Sequence, residues 1–144
     1  MTKLNHVLAW GLVVVWMGLI FTMSAKDATT SGELSGSLTL ALANFFNITN
    51  ISLLHTFIRK SAHFMIYLFL GIWCVNALSY HLLKVKTIYI LSSLITLFYA
   101  ISDEIHQTFI PGRSGEVMDV IIDFIGASIG IVFMITLKKH FNQR

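Results

Sequence analysis

Four long apolar runs place the first constraint on this chain. They cover residues 7–23, 62–79, 87–102 and 117–137, and each is close to the about 20 residues that an α-helix needs to cross a bilayer. Of the 144 residues, 56% are hydrophobic and only 12% are charged, against about 25% charged in soluble domains. We therefore predict an all-α integral membrane protein, in which residues 1–144 form one domain, a bundle of four transmembrane helices.

The connection between the first two spans is too long for a simple turn. Its residues 24–37 are rich in Ser, Thr and Gly and indicate an exposed, extracytoplasmic loop. Leu38 to Phe46 is apolar but too short to span, so we expect an interfacial or re-entrant segment there. Ser52 is expected to be the N-cap of a helix that continues unbroken into the second span.

The charged residues indicate the orientation of the spans. The side that carries both termini and the loop between spans two and three has basic residues only: Lys3, Lys84, Lys86, Lys138, Lys139 and Arg144. The other side holds four basic residues and all seven acids: Asp27, Glu33, Asp103, Glu104, Glu116, Asp119 and Asp123. Because basic residues favour the cytoplasm, we expect both termini there. The basic residues form no patch, so nucleic acid is not an expected partner.

Polar residues recur on one face of three of the predicted helices. An Asp, Lys or Arg at the centre of a span costs about 2.5 to 3.5 kcal/mol, so such residues normally face the bundle interior or water. Residues four apart share a helix face, and all three polar stripes end at the acid-rich side. The candidate site residues are Arg59, Lys60, His63 and Tyr67 on the second helix, Asp103, Glu104, His106 and Gln107 on the third, Asp119 and Asp123 on the fourth, and Arg113 in the turn before it.

Three kinds of site fit this convergence of polar stripes, and the sequence does not decide which of them is present. The first is a structural network of ion pairs that holds the helices together. The second is a divalent-cation site made of His63, His106, Asp103, Asp119 and Asp123. The third is an anion site in which Arg59, Lys60 and Arg113 meet phosphate or carboxylate. No cofactor can be assigned from the spacing of these residues, and the chain contains no Gly-x-Ser-x-Gly, Walker or His-Glu-x-x-His motif and no Ser/His/Asp triad recognisable by spacing.

Small residues in the fourth span predict a close helix contact. Gly126 and Gly130 are one turn apart, which is the small-xxx-small pattern of packed transmembrane helices. The single cysteine, Cys74, excludes a disulfide within the chain.

Two blocks of the sequence resemble the VanZ-like family. The first is Arg59-Lys60-Ser61-Ala62-His63-Phe64 with Tyr67 and Leu70-Gly71, and the second is Asp103-Glu104-Ile105-His106-Gln107 with Phe109, Pro111-Gly112-Arg113, Asp119, Asp123 and Gly126. Trp16-Met17, Ile20-Phe21 and Ser24, with Ser31 and Ser35, are similar to the looser N-terminal pattern of that family. The resemblance implies a bacterial membrane protein linked to resistance to the glycopeptide teicoplanin. It implies no established reaction.

Three functions follow from these observations as hypotheses. In the first, an outward polar pocket binds an anionic, lipid-linked cell-wall intermediate; the acids hold the cations, and His63, Tyr67, His106 and Gln107 supply hydrogen bonds. In the second, a membrane-embedded and metal-assisted enzyme uses His106, Asp103 and Asp119 on a lipid-linked substrate. The third, a small homo-oligomeric proton-coupled transporter, is disfavoured because the acids cluster at one end of the spans instead of the midplane.

Overall fold

The computed structural model describes the backbone of residues 3–25 and 28–142 and the side chains of residues 4–25 and 36–141. This part of the chain forms five α-helices. Four of them are long and apolar enough to cross a membrane, which confirms the all-α membrane bundle. The helices are α1 (Lys3–Ser24), α2 (Ala28–Phe46), α3 (Ile51–Leu78), α4 (Val85–Gln107) and α5 (Val117–Asn142).

The helices of the bundle extend beyond the predicted spans. α3 begins at Ile51 instead of residue 62, and α4 continues to Gln107 instead of ending at 102. Hydropathy marks only the part of a helix that meets lipid, whereas backbone hydrogen bonds continue through polar residues. The N-cap of α3 is Asn50, whose Oδ1 accepts a hydrogen bond from the Leu53 N–H at 3.1 Å. The prediction of one continuous helix is confirmed, whereas the prediction that Ser52 is its N-cap is wrong.

The segment between α1 and α3 is helical over most of its length. The prediction of an exposed loop over residues 24–37 is wrong from Ala28 onward, because α2 starts there. The low helix propensity of Ser, Thr and Gly is a weak signal that packing overrides: α2 packs against α3 and buries Thr39 and Ala43, one turn apart. The position of its apolar part in the bilayer stays a prediction.

α3 lies at the centre of the bundle and contacts the other four helices. Tyr67, Leu70, Cys74 and Ala77 form its fully buried stripe. This spacing of three or four residues keeps one face of the helix turned toward the core. The core is thus built on α3, and large apolar side chains elsewhere, such as Phe98 on α4, point outward toward lipid.

The most extensive helix contact joins α3 and α5, and their backbones touch. A Cβ atom at Gly126 would overlap the carbonyl oxygen of Phe64, and one at Gly130 would overlap that of Leu68. The close contact predicted from the small-xxx-small pattern is therefore confirmed. Because Phe64 and Leu68 meet Gly126 and Gly130 in the same order along the chain, α3 and α5 run parallel.

α1 is attached to this core through backbone carbonyl groups. The Trp16 Nε1–H donates to the carbonyl oxygen of Ile66 at 2.9 Å, and the Tyr99 hydroxyl donates to that of Met17 at 2.5 Å. The C-terminal ends of α1 and α4 thereby meet the N-terminal halves of α3 and α5. We call this end of the bundle the acid-rich end.

Candidate functional site

Three acidic side chains are buried together at the acid-rich end. Asp103 and Glu104 come from α4 and Asp123 from α5, and they are 4%, 5% and 0% exposed. With His63 of α3 they form what we call the carboxylate cluster. One nitrogen or oxygen atom from each of the four residues lies within 4.8 Å of the others. Two like charges at about this distance repel each other by about 3 kcal/mol at an effective dielectric constant of about 20, so the cluster requires positive charge or protons.

Two of these acids are well supplied with hydrogen bonds. The Ser24 hydroxyl at the end of α1 donates to Asp103 Oδ2 at 2.9 Å. The Gln107 amide donates to the same oxygen at 3.4 Å and to Glu104 Oε1 at 3.2 Å. Glu104 Oε2 accepts the Glu116 backbone N–H at 2.8 Å. Gln107 therefore bridges the two acids, and α1 and the α4–α5 loop help to hold them.

Asp123 is different, because its carboxylate has no hydrogen-bond donor among the described residues. His63 Nδ1 lies 3.5 Å from Asp123 Oδ1, which is the distance of an ion pair without hydrogen-bond geometry. The buried Tyr67 hydroxyl also lacks a partner in the described part of the chain. Buried polar groups are nearly always paired, so this side of the cluster has capacity for a further ligand.

Two cations and two acids form a second group next to this cluster, which we call the cation network. Arg59 Nη2 lies 3.7 Å from Glu116 Oε1 and 3.6 Å from Asp119 Oδ2. Lys60 Nζ lies 3.4 Å from Glu116 Oε2 and also contacts Asp119. The Asp119 side chain is 4% exposed and the Glu116 side chain 43%. Asp119 occupies the first turn of α5, where the helix dipole favours an anion.

The candidate residues from the sequence divide among these groups. His63, Asp103, Glu104, Gln107 and Asp123 meet in or on the carboxylate cluster, and Tyr67 is buried one helix turn beyond His63 on α3. Arg59, Lys60 and Asp119 form the cation network. His106 stacks on Phe21 of α1, with ring centroids 4.4 Å apart. Among the described residues, the group that could hold a metal ion therefore differs from the divalent-cation site predicted from the sequence. It contains Glu104 and lacks His106 and Asp119.

Arg113 lies in the loop between α4 and α5 and is half-buried. Its backbone N–H donates to the Ile110 carbonyl oxygen at 3.1 Å. The loop turns at Gly112, whose φ of 75° suits glycine. Gly115 lies against the end of α4, where an added Cβ would come within 2.6 Å of the Glu104 carbonyl oxygen. The loop is thus packed onto the same end of the bundle as the carboxylate cluster.

Two residues of the site were not among the sequence candidates. Ser24 contacts a residue 79 positions away, and only its place in the N-terminal family pattern singled it out. Glu116 supplies half of the ion-pair contacts in the cation network. Its position just before α5, where its carbonyl oxygen accepts the first backbone hydrogen bonds of the helix, was the signal that could have identified it.

A comparison with known protein families identifies the family of this chain. The family model described as VanZ/LLP1 matches residues 9–138. This range includes the carboxylate cluster, the cation network and all four candidate transmembrane helices except the outermost turns. No curated protein and no solved structure was found that matches the chain. The chain therefore belongs to the VanZ/LLP1 family and is a multi-pass membrane protein.

Proposed function

We propose that this protein binds the anionic headgroup of a lipid-linked envelope component at the outer face of a bacterial membrane and thereby alters susceptibility to teicoplanin. The excess of basic residues around the termini supports a cytoplasmic location for both, which turns the acid-rich end outward. The observation that carries the proposal is the cation network: Arg59 and Lys60 are held side by side by Asp119, with side chains 35% and 25% exposed.

A headgroup reaches these cations by replacing Glu116. That side chain is the most exposed member of the network, and its contacts with Arg59 and Lys60 are 3.7 and 3.4 Å long. Asp119 is buried and remains with the cations after Glu116 leaves. A phosphate offers several oxygens to a lysine and to the planar fork of an arginine, which is a stronger arrangement than one carboxylate. Asp119 therefore positions the cations, and Glu116 competes with the ligand.

The neighbouring polar residues complete this proposed pocket. Arg113 supplies a third cation from the α4–α5 loop, and the polymer or sugar part of the ligand extends into the aqueous phase. Tyr67 and His106 each have a buried polar atom without a partner in the described chain, so both can form hydrogen bonds with a bound group. His63 lies at the same end of the bundle and adds a further donor, while Gln107, whose amide already donates to Asp103 and Glu104, holds those acids in place.

Removal of one cation is expected to abolish the effect on glycopeptides. In a sensitive Gram-positive host, the wild-type chain is expected to lower teicoplanin susceptibility several-fold, and Arg113→Ala and Lys60→Gln are expected to remove that protection at matched membrane levels. Lys139→Gln is the control, because Lys139 is an exposed cation in the last turn of α5 at the opposite end. Protection that survives in Arg113→Ala and Lys60→Gln would contradict the proposal.

Removal of the competing acid is expected to act in the opposite direction. Glu116→Gln leaves a side chain of equal size but no charge, so Arg59 and Lys60 keep Asp119 but no longer have an acid that competes with the ligand. Binding of a polyprenyl diphosphate to the purified protein in detergent is expected to tighten by about fivefold, which corresponds to about 1 kcal/mol, the upper range for a partly exposed ion pair. Weaker binding in this variant would show that Glu116 is a ligand-binding residue and not a competitor.

A second candidate function is metal-assisted hydrolysis of such a lipid. The observation that favours it is the carboxylate cluster, in which four metal-ligating side chains converge. A bound divalent cation would polarise a phosphoryl oxygen or activate a water molecule. Release of inorganic phosphate from the polyprenyl diphosphate, abolished by a chelator, would support this function over binding alone.

A further inference from the structure

The unpartnered atoms of the carboxylate cluster point to an additional ligand. Asp123 is fully buried in the bundle, and neither of its carboxylate oxygens receives a hydrogen bond from the described residues. His63 Nδ1 and the Tyr67 hydroxyl are likewise buried without a hydrogen-bond partner in that part of the chain. His63 and Asp123 meet only as an ion pair at 3.5 Å, so both keep coordination capacity that hydrogen bonds from the described residues do not fill.

The charges indicate that this ligand is a cation. Asp103, Glu104 and Asp123 bring three carboxylates together, while Arg59 and Lys60 are engaged by Glu116 and Asp119. One divalent cation would offset most of the repulsion among the three acids. The distances also fit: ligand atoms about 2.1 Å from an ion lie about 3.4 Å apart in a tetrahedron and up to about 4.2 Å apart in an octahedron, so side chains now within 4.8 Å of one another need only small rotations.

We propose that the carboxylate cluster binds one divalent transition-metal ion, coordinated by His63, Asp103, Glu104 and Asp123. Three carboxylates alone would suit Mg²⁺ or Ca²⁺, but the imidazole of His63 shifts the preference toward ions such as Mn²⁺. The ion enters past His63, whose side chain is 18% exposed, because the acids behind it are almost completely buried.

Hydrogen bonds around the ligand side chains already form the support that metal sites require. Ser24 and Gln107 donate to Asp103, and Gln107 also donates to Glu104. The Glu116 backbone N–H holds the second oxygen of Glu104. Such bonds orient ligands before the metal arrives. The four ligands come from α3, α4 and α5, so a bound ion connects three of the transmembrane helices.

Titration of the chelator-stripped full chain in detergent with Mn²⁺ tests this site. The loss of the electron paramagnetic resonance signal of free Mn²⁺ is expected to show one ion bound per chain, and a tenfold excess of Mg²⁺ is expected not to displace it. Asp123→Asn and His63→Gln are each expected to weaken binding by about tenfold or more. His140→Gln, which removes an exposed histidine at the opposite end, is expected to bind Mn²⁺ as the wild type does.

A thermal measurement separates loss of the site from loss of the fold. Mn²⁺ is expected to raise the melting temperature of the wild type through mass action and to leave that of Asp123→Asn unchanged. Without metal, Asp123→Asn is expected to be at least as stable as the wild type, because one of three mutually repelling charges is gone. Equal Mn²⁺ binding by the wild type, Asp123→Asn and His63→Gln, or no binding by the wild type, would overturn the proposal.

The metal inference concerns the same end of the bundle as the proposed headgroup site, but it is tested without lipid. A wild-type chain that binds Mn²⁺ and no polyprenyl diphosphate would support the metal site and contradict the headgroup proposal. A chain that binds the lipid after chelation and never binds Mn²⁺ would support the headgroup proposal and contradict the metal site.

Discussion

Gly130→Leu is expected to destabilise the bundle by at least about 3 kcal/mol, the upper range for overpacking a well-packed interface. Gly130 is fully surrounded, and the carbonyl oxygen of Leu68 on α3 occupies the place of its missing side chain. Backbone atoms cannot rotate away as a side chain would, so α3 and α5 must separate. The free energy of unfolding, measured by titration with sodium dodecyl sulfate in mixed micelles, reports the loss.

Gly18→Leu is the matched control for this substitution. Gly18 is also in a transmembrane helix, but nothing lies within 4 Å of a Cβ atom built on it. Leu has a better helix propensity than Gly by up to about 1 kcal/mol, so this variant is expected to be as stable as the wild type or slightly more stable. Equal destabilisation by Gly130→Leu and Gly18→Leu would contradict the close contact between α3 and α5.

Asp119→Leu is expected to cost about 2 to 3 kcal/mol of stability. Asp119 is the buried partner of both cations, and its loss leaves Arg59 and Lys60 with Glu116 alone. Breaking a buried pair costs about 3 to 5 kcal/mol, and the partial exposure of both cations lowers the expected value. The same unfolding titration measures the change in stability.

A double-mutant cycle distinguishes the unpaired charge from a simple packing defect. The variant Lys60→Met with Asp119→Leu replaces the ion pair by apolar side chains, an exchange that is often close to neutral. It is therefore expected to recover most of the stability that Asp119→Leu loses. If the double variant is as unstable as the sum of its two single variants, the ion pair is not the source of the effect.

The four spans could be predicted because a bilayer demands long apolar segments, a requirement that hydropathy records directly. The ends of the helices could not, since segments of mixed polarity such as residues 51–61, which end in the charged pair Arg59-Lys60, continue a helix beyond the uninterrupted apolar run. α2 was missed for a related reason. Its Ser, Thr and Gly residues indicate a loop, and the burial of Thr39 and Ala43 is a tertiary effect that local composition does not contain.

The helical phase of the polar residues correctly indicated that α3, α4 and α5 carry their polar stripes to the same end. Phase does not specify how far one helix is shifted along another, and that shift decides that His63 faces Asp123 while Lys60 faces Asp119. The shift of α5 along α3 depends on the contact of Gly126 with Phe64. For the same reason, residue spacing alone could not predict the contact of Ser24 with Asp103.

The parallel pairing of α3 with α5 also has a consequence for the order of synthesis. These two helices are separated in the chain by α4, so the most extensive contact of the bundle cannot form until the last span has left the ribosome. Until then, Arg59 and Lys60 lack Glu116 and Asp119, and His63, Asp103 and Glu104 lack Asp123, the last member of their cluster. The growing chain must keep its first three spans together through α1 and α4 contacts, and the arrival of α5 converts an unfinished bundle into one with an assembled site.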